Sequence, residues 1–220
     1  MIDLAFRRVA GGREPDRVVL RLQDPEPAVV WRSRGAAVGR FSLAGEAVAR
    51  VRAAAEKAGA LAPPESPSTL SAHVLAEYLT LDEASLAVPA GTEVDGPWGD
   101  LLAACRAALD APTEPVAAIT LIGEPPARVR VEHRGSGQVS LGFGALNVAI
   151  RWAADGVETA YAGAQVRDGV VEAGPGWSTT IELDPPADPS PAGEPVATAT
   201  LSIMDEGVWI PVALEVPVPT

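Results

Sequence analysis

In 220 residues the chain has one cysteine, Cys105, one lysine, Lys57, and two histidines, His73 and His133. A lone cysteine excludes an intrachain disulfide and a multi-cysteine zinc site, and with them a small secreted scaffold held by sulfur. Two histidines that fall in different blocks of the sequence, together with one cysteine, match no zinc-ligand spacing. No metal and no cofactor are expected. One lysine means no polybasic segment for a membrane surface or a nucleic acid. Long apolar runs are missing too: the longest uncharged stretch, Gly135 to Ile150, contains glycines, serines and Gln138 and is too short to span a bilayer. Asp3, Arg7 and Arg8 precede any apolar run, so the first residues do not read as a signal peptide. A soluble cytoplasmic protein is the expectation.

What is present suits a folded chain. Hydrophobic residues make up 47% and charged residues 21%, enough apolar material for a core in one or two domains. The formal net charge is −12, and it is unevenly placed: residues 1–60 carry 11 Lys and Arg against 7 Asp and Glu, whereas residues 61–220 carry 6 against 22. Such acidity repels nucleic acid and anionic lipid at long range, which argues for a protein partner and against both of those. The arginines crowd the first segment, and Arg7, Arg17, Arg21 and Arg32 are candidate interaction residues. Their competing reading is the wet face of half-buried strands, where charge alternates with apolar residues.

Two blocks emerge along the chain. Val18, Leu20 and Leu22 alternate with Arg17, Val19, Arg21 and Gln23, the period of a strand with one wet face, and 2–9 and 28–33 read similarly. Residues 46–58 place Val48, Val51, Ala54, Ala55 and Ala58 on a helical stripe, and Gly59 reads as its stop at the C′ position. The segment Thr69 to Leu81 fits either helix or strand; the preferred reading is helix passing into strand, with 78–81 and 85–88 paired around Asp82-Glu83-Ala84. Pro97 at a first helical position opens a second helix with Trp98, Leu101, Leu102, Cys105, Ala108 and Leu109 on one stripe. Cys105 on that stripe is expected to behave as a small buried hydrophobe.

Two prolines and two acids in 110–115 mark the boundary. The expected fold is therefore an α+β N-terminal domain over 1–111, a sheet with two or three helices, then a linker at 112–115 and an all-β sandwich or small barrel over 116–220. Nine short runs after the boundary read as strands: 116–122, 127–132, 138–143, 146–152, 157–161, 165–172, 177–183, 196–203 and 208–216. Pro211 and Pro217 place the last at an edge or interrupt it.

Chemistry was sought and mostly not found. His73 lies in the ambiguous segment, and His133 ends a strand beside Arg134-Gly135, where exposure is expected. Asp184, Asp188 and Glu194 share a proline-rich loop but match no calcium-loop spacing. Gly135-Ser136-Gly137 lacks the frame of a nucleophile elbow and reads as a turn. The glycine-rich stretch to Gly144 has Ser140 where a dinucleotide fingerprint needs glycine. Five of the few aromatic residues are tryptophans. Trp31, Trp98 and Trp152 read as core, whereas Trp177, after a Gly-Pro turn, and Trp209, out of phase with Ile210, Val212 and Leu214, are the candidates to project outwards for an interaction.

Three function classes follow. The leading one is a non-enzymatic protein-binding or regulatory protein, such as an acidic inhibitor or immunity-type partner of a basic protein, whose charge would steer a cationic target. The alternatives are a small-molecule carrier with a β-barrel cavity and a hydrolase working through a carboxylate pair. Sequence assigns no catalytic residue.

Overall fold

The computed structural model describes residues 2–9, 17–66, 75–111, 113–124, 128–154, 157–165, 169–184 and 193–219. Most of these lie in strands, grouped in large antiparallel sheets, with two helices among the described residues. The chain divides into two compact units: Met1–Arg32 with Arg40–Glu114, and Ser33–Gly39 with Pro115–Thr220. Among the described residues no helix is long and apolar enough to cross a membrane.

The first unit contains β1 (Asp3–Val9), β2 (Arg17–Gln23), β3 (Val29–Arg32), the later part of β5 (Ala37–Leu43), α1 (Gly45–Ala58), β6 (Ala76–Leu81), β7 (Ala84–Pro89) and α2 (Gly96–Asp110). Its strands lie in the order β5-β3-β2-β1-β6-β7. Leu4 is registered with Leu22 and with Leu81, and Phe6 with Leu20 and Leu79, so consecutive strands deliver their apolar residues to one face. Both helices cover that face. Ala47, Val51, Ala55 and Ala58 of α1 and Trp98, Leu101, Leu102, Cys105, Ala108 and Leu109 of α2 join the same core. Alanine explains both the helical propensity of α1 and its close packing, since its side chain loses no rotamer freedom and fills little space. The Trp98 indole Nε1 donates to the Leu61 carbonyl at 3.1 Å, which satisfies its one polar atom in the core.

Both helices and the β6–β7 hairpin lie where the periodicity puts them, while 67–74, including His73, fall outside the described residues. Gly59 departs from its expected role. Its φ is −63°, a right-handed conformation open to any residue, and its N–H bonds the Ala55 carbonyl at 2.8 Å. The helix ends there without a left-handed turn. The left-handed residue of the next hairpin is Asp82, with φ 52°.

The second unit contains β4 (Arg34–Gly35), the first part of β5, nearly all of β8 (Thr113–Glu124), and β9 (Arg128–Arg134), β10 (Val139–Ala154), β11 (Val157–Gln165), β12 (Val170–Ala173), β13 (Ser178–Glu182), β14 (Glu194–Asp205) and β15 (Val208–Pro217). One set runs β13-β9-β8-β5; the other runs β11-β10-β14-β15-β4, with β12 beside the start of β10. The two sets approach closely: a Cβ added at Gly123 on β8 would lie 2.5 Å from Val218 Cγ2 and 3.1 Å from Ala197 Cβ on β14. Residues 113–115, expected in the linker, open β8.

Two expected strands prove to be one. β10 runs through 139–154 and pairs with β14 on both sides of an irregularity, Gly142 opposite Ser202 and then Asn147 opposite Thr200. The extra residues on β10 bulge out, which read as a turn because glycines flank them. On β15 the two-residue β4 pairs only with Ala213 and Leu214, so Pro211 and Pro217 lack a ladder partner on that side, as their missing N–H requires.

Candidate functional site

Strand parity distributes the arginines named from sequence. Arg7 pairs with Val19 and Arg21 with Ala5, which puts Arg7 and Arg21 on the sheet face away from the helices. Arg17 occupies the register position opposite Val9, and its side chain lies outside the described residues. Arg32 points the other way. Its Nη2 donates to the Leu109 carbonyl at 2.7 Å at the end of α2, and its guanidinium lies 5.6 Å from the Phe41 ring centre. The four arginines therefore do not form one face.

His133 corrects an expectation: it is 6% exposed, not at the surface. Val129, Val131 and His133 alternate inward on β9, and the neighbouring Arg134 and Gly135 signalled surface only for their own positions. Both ring nitrogens are buried without a hydrogen-bond partner among the described residues. Burial pushes the imidazole pKa below its usual value, opposed in part by the backbone of Gly137. Glu132, next along the strand, faces the other side between Arg130 and Arg134. Cys105 is fully buried, and desolvation, reinforced by the charge of Glu77, raises its thiol to about 12. It is no nucleophile at neutral pH. Asp184 and Glu194 are exposed, and Asp188 falls outside the described residues.

The tryptophans differ in exposure. Trp31, Trp98 and Trp152 are buried and Trp177 is half-buried, with its carbonyl accepting from the His133 N–H at 2.9 Å. Trp209 is 40% exposed. Ile210, Val212 and Leu214 take the inward positions of β15, which leaves Trp209 and Pro211 outward. Across the sheet Val170 is registered with Gly142, Gly142 with Ser202 and Ser202 with Pro211.

This row explains where the indole goes. Gly142 has no side chain, and a Cβ built there would meet Trp209 Cζ3, Cε3 and Cη2 at 3.2, 3.4 and 3.5 Å. The six-membered ring lies against the bare backbone of the glycine. Beside it Gly142, Gly169, Val170, Ser202 and Trp209 line an open groove of about 340 Å³. Val170 is 64% exposed, so apolar surface lies at the β12 end of the groove.

Acids outnumber bases on the strands beside the groove. Strands β12, β14 and β15 contain no Lys or Arg, while Glu172 follows Val170 on the same face and Asp205 and Glu206 form the hairpin next to Val208. An indole with acids around it suits a cation, because the negative π face and the carboxylates attract the same charge. Sequence phase pointed to Trp209 but missed Gly142, Val170 and Ser202. The glycine stood near the end of a run read as a strand, 138–143, and nothing local announces which glycine an aromatic ring will cover.

No protein-family model, curated protein or solved structure matches the chain.

Proposed function

We propose that this is a non-enzymatic binding protein that receives a basic protein partner on the Trp209 face. The reading takes 1–111 as an α+β domain and 116–220 as a β-sandwich whose outer face presents the indole. The observation that carries it is the indole seated on Gly142, beside a groove whose strands β12, β14 and β15 hold acids and no base. An arginine or lysine of the partner would lie over Trp209, with Glu172 as an ionic neighbour and Val170 in apolar contact. The excess of acid over 61–220 would speed the encounter by long-range steering.

The test is titration of the full chain with a short arginine-rich peptide and with a scrambled peptide in which glutamate replaces arginine, followed by tryptophan fluorescence and amide chemical shifts. The arginine peptide is expected to saturate, with weaker binding as salt rises, and Trp209→Ala is expected to weaken it about tenfold. Equal binding by Trp209→Ala, or no preference for the cationic peptide, would leave the indole as a cover for the glycine backbone and end this reading.

A further inference from the structure

A second groove lies in the other unit, on the face of β1, β6 and β7 turned away from the helices. It measures about 240 Å³ and is lined by residues including Arg7, Val9, Tyr78, Thr80, Ser85 and Ala87. We infer that this groove binds a small molecule that carries an oxyanion, phosphoryl or carboxylate, on a flat apolar body.

The two faces of the β1–β6 strand pair treat charge differently. Arg8 and Glu77 are register partners on the helix side, and they satisfy each other there: Arg8 Nε and Nη2 reach Glu77 Oε1 at 3.0 Å. Arg7 and Tyr78, one step along, are register partners on the open side. Both are exposed, and Arg7 has no carboxylate partner among the described residues. Of the strand residues that share this face, only Asp3 is acidic, and it stands four residues from Arg7, about 13 Å along β1. The strand pair thus neutralises its half-buried arginine and leaves the exposed one without a carboxylate partner among the described residues.

The other groups around Arg7 fit the rest of the ligand. Thr80 and Ser85 are register partners and bring two hydroxyls into the same groove. Tyr78 is registered with Ala87, and both line the groove. A guanidinium offers paired N–H donors that match the two oxygens of a carboxylate or phosphoryl group, which an ammonium does not. Val9, Ala87 and the Tyr78 ring supply the apolar contact, so an inorganic anion alone would use half the site. The acidic Trp209 face has the opposite charge preference, and the inference does not depend on it.

The experiment is amide chemical-shift titration of the full chain with phenyl phosphate, benzoate, inorganic phosphate and benzylamine. Phenyl phosphate or benzoate is expected to give saturable shifts at Arg7, Tyr78, Thr80 and Ser85, with inorganic phosphate several-fold weaker and benzylamine without effect. Arg7→Gln is expected to weaken the aromatic anion about tenfold, Arg7→Lys less and Tyr78→Ala several-fold, with the remaining shifts reporting an intact fold. Trp209→Ala should bind as the parent does. Linear, non-saturating shifts with both aromatic anions, an Arg7→Gln curve that matches the parent, or equal binding of benzylamine would each overturn the inference.

Discussion

The two units bury polar groups in different ways. In the first, Glu77 is wholly buried between Arg8 and Arg106; Arg106 Nε and Nη2 donate to Glu77 Oε2 at 2.9 and 2.6 Å, and Nη2 also reaches the Thr92 carbonyl at 2.9 Å. In the second, His133 is buried with neither ring nitrogen hydrogen-bonded among the described residues. Geometry accounts for the contrast. A helix laid on a sheet brings an arginine from α2 to a carboxylate on β6 from a second direction, while the guanidinium stays partly in water. On β9, His133 takes an inward position in line with Val129 and Val131. The lesson is limited to these two groups: Glu77 is paired with arginines from two elements, whereas His133, with no such partner, is pushed by burial toward its neutral form.

The strongest way to break the comparison is Glu77→Ala. Removing the carboxylate leaves two arginines facing a void, and the expected loss is about 3 kcal/mol in urea unfolding, reduced from the deep-burial range because both guanidinia reach solvent. A loss below about 1 kcal/mol would place this network among ordinary surface pairs. The counterpart in the second unit is Gly123→Ala, expected to cost about 2 kcal/mol through overpacking against Val218 and Ala197. A neutral result would show that the strands there are free to spread.

His133 sharpens the comparison through pH. Its folded pKa is depressed, so between the ordinary value of 6.5 and the folded value the unfolded chain binds a proton that the folded chain does not. Stability should therefore fall as pH drops through that window, by at most about 1.4 kcal/mol per pH unit, and this contribution should level off below the folded value. His133→Leu should remove that slope in denaturation curves measured from pH 7 to 5. An unchanged slope would assign the acid sensitivity to other groups. The smallest effect belongs to Cys105. With its thiol at about 12 and fully buried, labelling by a thiol reagent should proceed only through opening of the first unit, and labelling at the rate of a free thiol would contradict the packing of α2.

Much of the local structure was legible. The alanine stripe of α1, the Pro97 start of α2, the β6–β7 hairpin and the turn at Asp205–Gly207 all depend on neighbours a few residues apart. Trp209 was also partly legible, because its phase opposes Ile210, Val212 and Leu214. Two features were not. β10 read as two strands, since the irregularity after Gly142 looks like a turn until β14 is seen to pair on either side of it. His133 read as exposed, since its sequence neighbours are a charge and a glycine while its burial comes from parity with Val129 and Val131.

Alternation, helical stripes and turn residues determined most of the helices, strands and inward-facing positions, though not the continuity of β10 or the burial of His133, because backbone sterics and local periodicity act within a few residues. Only the tertiary structure decided that Glu77 stands between Arg8 and Arg106, that Arg7 meets Tyr78 across a groove and that Trp209 lies on Gly142. Those meetings join positions 29 to 71 residues apart, and strand order and register settle them, through the burial of whole faces that no local pattern encodes.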